Sequence, residues 1–364
     1  MLENMSQTLL FDEPIAIQHK FPYNWTLKDA IFTKDKGTVF SCFACGGGST
    51  MGYKLAGFDV IGCNEIDPKM MACYIENHKP KYSYLEPIQT FKLRKDLPKE
   101  LYNLDILDGS PPCSSFSMAG NRERDWGKDK IFREGQKKQI LDTLFFDFID
   151  LAKELQPKIV IAENVKGLIL GNARKYLHRI YKAFDIAGYT CQAHLLDASK
   201  LGVPQKRERI FFICMRKDLA KERMPEIDLK FNEKEIKFSE IYTTQVERKK
   251  ISEAIFDAYD YCIANNCADF AKYFEITLNK RKYFNTRLIF KDAVVDTITS
   301  DCTHVIEGEK AYINDTELKL AGTYPQDYNF LNSKTDYLVG MSVPPIMTAQ
   351  IATRIYEQWL THLF

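Results

Sequence analysis

The chain has 364 residues, 45% hydrophobic and 27% charged, with a formal net charge of +1. That composition fits a globular protein with room for about two domains, and the near-zero charge leaves nucleic-acid or membrane-surface contact to local basic patches. Ten cysteines without a disulfide framework, no apolar run near the ~20 residues of a membrane span and no leader pattern predict a soluble cytoplasmic chain with reduced thiols.

Residues 1–37 carry no clear periodicity and read as an N-terminal extension. Thr38 to Phe43 is β-branched and aromatic and predicts a strand. Ala44-Cys45-Gly46-Gly47-Gly48-Ser49 follows. Its glycines allow a sharp turn and close backbone approach to a ligand. Ser49 is the expected N-cap of a helix that ends at Gly57. Phe58 to Cys63 predicts a second strand, closed by Asn64-Glu65, with Asp67-Pro68 starting the next helix. A carboxylate about 20 residues after a glycine turn, at a strand end, is placed to bind ribose hydroxyls. Cys42 and Cys45 form a Cys-x-x-Cys, but no second pair or nearby histidine accompanies them, so no metal site is expected. Met70 to His78 reads as a helix, and Tyr84 to Ile88 as the end of a short strand.

Leu104 to Leu107 is a short buried strand running into Asp108-Gly-Ser-Pro-Pro-Cys-Ser-Ser-Phe-Ser117. Pro111 and Pro112 end the strand and stiffen the backbone that carries Cys113. A stiff mount at the ligand-bearing edge of an open α/β sheet suits a nucleophile. Taken alone, Pro-Pro-Cys is more often a buried thiol beside a turn; the motifs elsewhere in the chain reverse that balance. Residues 116–138 are polar, long for a connection, and include Trp126 among arginines and lysines, which predicts a closing loop. Ile140, Leu144, Phe148, Leu151 and Leu155 follow helical spacing, and Pro157 stops that helix. Lys158 to Ala162 is a strand ending in Glu163-Asn164-Val165. A carboxyl at that edge, flanked by apolar residues, suits proton donation. A helix near 174–187 and a strand from Thr190 to Leu196 precede Gln205-Lys-Arg207-Glu-Arg209, which enters the strand 210–214. In an extended segment Arg207 and Arg209 share a face, and paired guanidiniums suit an anion or a carbonyl.

The ordered set of glycine turn, Pro-Pro-Cys, Glu-Asn-Val and Gln-x-Arg-x-Arg resembles the DNA (cytosine-5) methyltransferase family of bacterial and phage modification enzymes. So do Arg287 with Asp296 to Thr299, Tyr324-Pro-Gln-Asp-Tyr328, and Gly340-Met-Ser-Val-Pro344. The resemblance implies an α/β, Rossmann-like S-adenosylmethionine-dependent fold with a mostly parallel sheet and a smaller target-recognition domain. It implies Cys113 as nucleophile, Glu163 at the flipped base, and Arg207 and Arg209 supporting base and catalytic face. Phe43, Gly48, Glu65, Ile66, Ile88, Pro112 and Ser342 would hold S-adenosylmethionine. Three residues depart from the family pattern. Cys45 and Pro87 stand where a glycine and an acid are usual, and Met341 where an asparagine is usual.

The expected division is an extension over 1–37, a catalytic cofactor-binding domain over 38–216, a target-recognition domain over 217–305, and a hinge and return over 306–364. The interleaved basic and aromatic residues of 247–250 and 280–287 suit phosphate contacts, and the last helix is expected beside the first. The implied partner is double-stranded DNA, with a cognate restriction endonuclease as a possible companion and a monomer as the expected state. Two alternatives stay open. One is a tRNA cytosine-5 methyltransferase. The other is a flavin or nicotinamide oxidoreductase, which the glycine turn and Glu65 permit but which leaves Cys113, Glu163 and the arginines unexplained.

Overall fold

The computed structural model describes residues 19–112, 143–170, 174–220 and 225–363. Strands β1 (Thr38–Cys42), β2 (Asp59–Glu65), β3 (Tyr82–Leu85), β4 (Ile106–Gly109), β5 (Ile159–Val165), β6 (Tyr189–Asp197) and β7 (Glu208–Arg216) form one sheet in the order β3-β2-β1-β4-β5-β7-β6. The pairs from β3 to β5 are parallel. β7 is antiparallel to both β5 and β6. Only β7 is therefore reversed, and its first residues lie at the edge where β1, β2, β4 and β5 end. Arg209 pairs across the sheet with Val165.

Helices α1 (Gly48–Leu55), α2 (Pro68–His78), α3 (Ile88–Phe91), α4 (Leu144–Leu155) and α5 (Arg174–Ile186) flank these strands. Then come α6 (Phe238–Ile241), α7 (Phe256–Ala264), α8 (Phe270–Leu278), α9 (Asp315–Ala321), α10 (Thr335–Met341) and α11 (Pro345–Gln358). A small sheet joins β8 (Leu288–Ile289), β9 (Val305–Ile306) and β10 (Ala311–Tyr312).

Near-continuous apolar runs in the central strands cover both faces of the large sheet, as burial under helices on each side requires. Phe40, Leu107, Val160 and Phe212 pack on one face with α4 and α5. Val39, Ile106, Ile161 and Ile213 pack on the other with α11. Leu144, Phe148, Leu151 and Leu155 of α4 are all buried, as their spacing predicts; Ile140 and the expected closing loop lie outside the described residues. The last helix packs beside the first. A Cβ on Gly52 of α1 would stand 2.3 Å from the Pro345 carbonyl oxygen and 2.5 Å from Thr348 Cβ, so α1 and α11 meet backbone to backbone.

Ile251, Ile255, Tyr259, Phe270 and Leu288 gather in a smaller cluster of their own. Residues 227–241 behave differently. Ile227 and Leu229 join the core beneath the large sheet. Ile236, Phe238 and Ile241 join a cluster with Met51 and Met70 of α1 and α2. No helix among the described residues is long and apolar enough to cross a membrane.

Candidate active site

The turn after β1 is built from alternating left-handed residues. Phe43 (φ 52), Cys45 (φ 48) and Gly47 (φ 91) all have positive φ. For Phe43 and Cys45 that conformation costs roughly 1–2 kcal/mol each, the kind of strain that gathers at ligand sites. Cys45 thus takes a conformation in which glycine would be unstrained. Gly47, not Ser49, is the N-cap of α1, with no side-chain cap. The turn needs a left-handed residue immediately before the helix, and this shifts its start two residues upstream of Ser49. A Cβ on Gly48 would meet the Val343 carbonyl at 2.6 Å and Ser342 Cβ at 2.8 Å. Gly48 and Ser342 therefore face each other.

Glu65, at the end of β2, is oriented before any ligand arrives. Its Oε1 accepts the backbone N–H of Ile66 at 2.8 Å and of Asp67 at 2.9 Å, and Oε2 accepts that of Cys45 at 2.7 Å. Each carboxylate oxygen has two lone pairs. Among the described residues one acceptor position on Oε2 is left. Burial pushes the Glu65 pKa up, and the three amides pull it partly back. Asp67 caps α2 through Lys69 and Met70 N–H, with Pro68 at the first helical position, as expected.

Phe43, Glu65, Ile66, Ile88 and Pro112 line one partly open cavity. Gly48 and Ser342 are not on its wall; they pack against each other beside it. Pro87 and Met341 are on the wall. Asn64, Met70, Glu86 and Tyr337, none of them expected from sequence, also line it. Asn64 is the one with a signal. It precedes Glu65 at the same strand end, and its Nδ2 donates to the Glu86 carbonyl at 2.8 Å, fixing the wall opposite.

Cys113 lies outside the described residues, but its mount is described. β4 pairs with β5 up to Gly109 opposite Ala162, so Ser110 and Pro111 run beside Glu163 and Asn164. Asn164 Nδ2 donates to the Pro111 carbonyl at 3.0 Å. The neighbour of Glu163 therefore braces the segment that leads to Cys113. The Glu163 carboxylate forms an ion pair with Arg209, Nε to Oε1 3.0 Å, both side chains largely buried. Burial pulls the Arg209 pKa down, and Glu163 opposes that shift.

The two arginines have different partners. Arg207 precedes β7 and is buried; its Nη1 donates to the Ile298 carbonyl at 3.0 Å and its Nη2 to the Gly340 carbonyl at 2.8 Å. Burial pulls its pKa well down and the charge of Arg209 adds to this. Since arginine keeps its proton in proteins, Arg207 is a buried cation whose charge is met by two backbone carbonyls. Gln205 completes the brace, donating to the Ala321 carbonyl and accepting from Ile298 N–H.

Asp108 was not singled out by sequence. It is buried at the end of β4, accepting from Ser41 Oγ at 2.8 Å and from Tyr53 Oη at 3.1 Å. Burial pushes its pKa up to about 7, with the two hydroxyl hydrogen bonds opposing and Glu163 adding to the rise. The folded state then holds this proton while the unfolded chain, ordinary at about 3.9, releases it. Stability on this account falls as pH rises from about 4 to 7 and levels above that. Asp108→Asn is therefore expected to melt at a higher temperature than the unaltered protein by a margin that widens over that range. Melting curves at several pH values test this, and a margin independent of pH would contradict the buried proton.

A seven-stranded sheet with only one strand reversed, carrying a glycine turn beside a carboxylate-lined pocket, is a Rossmann-like methyltransferase fold. Solved structures agree on the fold. A DNMT2 variant of Spodoptera frugiperda superposes with a TM-score of 0.60 at 17% identity, covering 88% of this chain and 99% of that one. The Dnmt2 methyltransferase of S. pombe gives 0.58 at 14%, covering 88% and 98%. The chain belongs to the C-5 cytosine-specific DNA methylase family, whose model matches residues 37–357. Among curated relatives, Type II methyltransferase M.FnuDI of Fusobacterium nucleatum is 35% identical over 50% of this chain and 47% of its own length. Type II methyltransferase M.NgoPII of Neisseria gonorrhoeae is 34% identical over 62% and 58%. The matched region thus spans about half the length of these relatives.

Proposed function

We propose that this chain transfers the methyl group of S-adenosylmethionine to carbon 5 of a cytosine extruded from duplex DNA. One observation carries the reading: a single short segment serves two sites. Pro112 lines the carboxylate pocket, while Pro111 is held by the residue next to Glu163. Donor and base would then meet at Cys113. The pocket residues fit the donor. Glu65 has an acceptor position for a ribose hydroxyl, Phe43, Ile66, Ile88 and Pro112 give an apolar wall, and Gly48 against Ser342 keeps the turn close. When bound, S-adenosylmethionine supplies an electrophilic methyl group on a sulfonium.

In this reading the Cys113 thiolate forms a bond to cytosine carbon 6, and the displaced ring electrons make carbon 5 nucleophilic. Glu163, once it has taken up a proton from solvent, donates it to ring nitrogen 3 and so accommodates that charge. Arg209 holds the carboxyl in place and is the nearer guanidinium for the base, since the fork of Arg207 is occupied by two backbone carbonyls. Loss of the carbon 5 proton and departure of the Cys113 thiolate restore the aromatic ring. Extruding the base costs a few kcal/mol.

In this reading 38–216 are catalytic, 217–305 carry target recognition, 306–364 return to the catalytic part and 1–37 are an extension; the first stretch of 217–305, around 227–241, packs on the catalytic core, and the separate cluster begins at Ile251. The loop Lys280-Arg281-Lys282 is exposed beside the exposed rings of Tyr283 and Phe284, which suits phosphate contact. Replacing all three cations with alanine is expected to weaken duplex binding and to reduce the salt slope by roughly 0.9 for each phosphate no longer neutralised. Donor binding stays unchanged. Fluorescence anisotropy across a salt series tests this; an unchanged slope would remove the loop from the interface. We further infer a cytoplasmic monomer, with a cognate restriction endonuclease as a possible partner.

Labelled S-adenosylmethionine with duplex DNA, and with tRNA as the competing substrate, tests the reading. 5-Methylcytosine in DNA supports it. Incorporation into tRNA alone would shift the substrate, and no incorporation from folded protein would sink it.

A further inference from the structure

The segment ahead of the first strand crosses the back of the glycine turn. Trp25 is buried among Met51, Met70 and Tyr324, and its Nε1 donates to the Thr323 carbonyl at 3.0 Å. The Trp25 carbonyl accepts the N–H of Gln326 at 2.9 Å. The Asp327 carboxylate accepts the N–H of Leu27 at 2.6 Å and of Lys28 at 3.1 Å. Four hydrogen bonds thus fasten residues 25–28 to the turn 323–327. The chain then continues to the foot of α1, where Lys36 N–H reaches the Gly57 carbonyl at 3.1 Å.

The fastened turn sends two tyrosines toward the pocket. Tyr324 Oη donates to Ser342 Oγ at 2.7 Å and stands 2.8 Å from where a Cβ on Gly48 would be. Tyr328 Oη donates to the Gly46 carbonyl, and His78 Nε2 lies 2.8 Å from the same hydroxyl. Burial pulls the His78 pKa well below its ordinary value, so the ring is neutral. A route of direct contacts therefore runs from Trp25 and Asp327 through Tyr324 and Tyr328 to Gly46 and Gly48.

We infer that residues 25–28 are a positioning brace for the methyl-donor site. They fix the 323–328 turn, and through Tyr324 and Tyr328 they fix the strained glycine turn that meets the donor. This rests on the reading that the pocket holds S-adenosylmethionine. Neither Trp25 nor Asp327 touches the cavity, so the effect is on the shape of the site. A turn with three successive alternate residues at positive φ has little of its own to hold it, and outside contacts must over-determine it.

Trp25→Phe keeps an aromatic ring in the cluster and removes only the donor to Thr323. Asp327→Ala removes both acceptors for Leu27 and Lys28. Titration calorimetry of the full chain with S-adenosylmethionine, and steady-state methylation of duplex DNA, give the readout. Each variant is expected to raise the donor Kd and KM by about 3- to 10-fold, the range for losing one or two hydrogen bonds. The kcat at saturating donor and the duplex Kd stay near those of the unaltered protein. A donor Kd unchanged in Trp25→Phe, or a loss confined to kcat, would overturn the brace, even with a lowered melting temperature. If Asp327→Ala does not fold, Trp25→Phe carries the test alone. Absence of donor binding by the unaltered protein would overturn the donor reading and the brace together.

Discussion

Alanine at Cys113 is expected to lower methyl transfer by at least about 1,000-fold while leaving donor and duplex binding in place. The magnitude follows from removing a covalent nucleophile whose partners cannot act without it. Without a sulfur at carbon 6, carbon 5 has no enamine-like electron pair to offer, however well the donor is held. Binding survives because the groups assigned to the donor and to phosphate lie elsewhere: Glu65 on β2, and the cations of 280–282. Single-turnover methylation, with donor calorimetry and duplex anisotropy on the same preparation, reads both sides. Turnover near that of the unaltered protein would take Cys113 out of its role. Loss of binding together with turnover would make the residue a structural one.

Glu163→Gln is expected to lower kcat by about 100- to 10,000-fold, the usual span for a proton donor acting in the transition state. Glutamine keeps an oxygen that can accept from Arg209 Nε, so the local geometry should persist. What it loses is the ionised partner of a mostly buried guanidinium, Nε to Oε1 3.0 Å. Some destabilisation follows, because a buried charge left with a weaker partner is costly. The kinetic loss should far exceed what any change in melting temperature accounts for. A variant with turnover within about tenfold of the unaltered protein would show that another group supplies the proton.

Much of the sheet was legible because its evidence is local. Apolar runs bounded by Gly57, Pro157 and Gly188 show where strands and helices change. Asp67-Pro68 marks the start of α2 by capping chemistry alone. The strand ends at Glu65, Pro111 and Glu163 could therefore be placed at one edge before any coordinates. Strand direction was not legible in the same way. Side-chain alternation reads the same up or down a strand, so the reversal of β7 was hidden. Arg209 enters the sheet opposite Val165 beside Glu163, while Arg207 lies just outside β7. The left-handed Phe43 and Cys45 were also hidden, because tertiary packing imposes positive φ on residues that disfavour it. The N-terminal segment carries no periodicity, and its partners lie about 300 positions away. No pattern within the segment could announce Thr323 or Asp327.

Methyl transfer here depends above all on a covalent bond between Cys113 and the base. The DNA site methylated in cells expressing this protein can be found by bisulfite sequencing, and a duplex carrying 5-fluorocytosine at that position then incubated with S-adenosylmethionine. Fluorine at carbon 5 cannot leave as a proton does, so the adduct should persist. A protein–DNA band stable to denaturation, absent with Cys113→Ala, is the predicted result. Folded protein that methylates the ordinary site yet leaves the fluorinated duplex wholly unlinked would contradict the account.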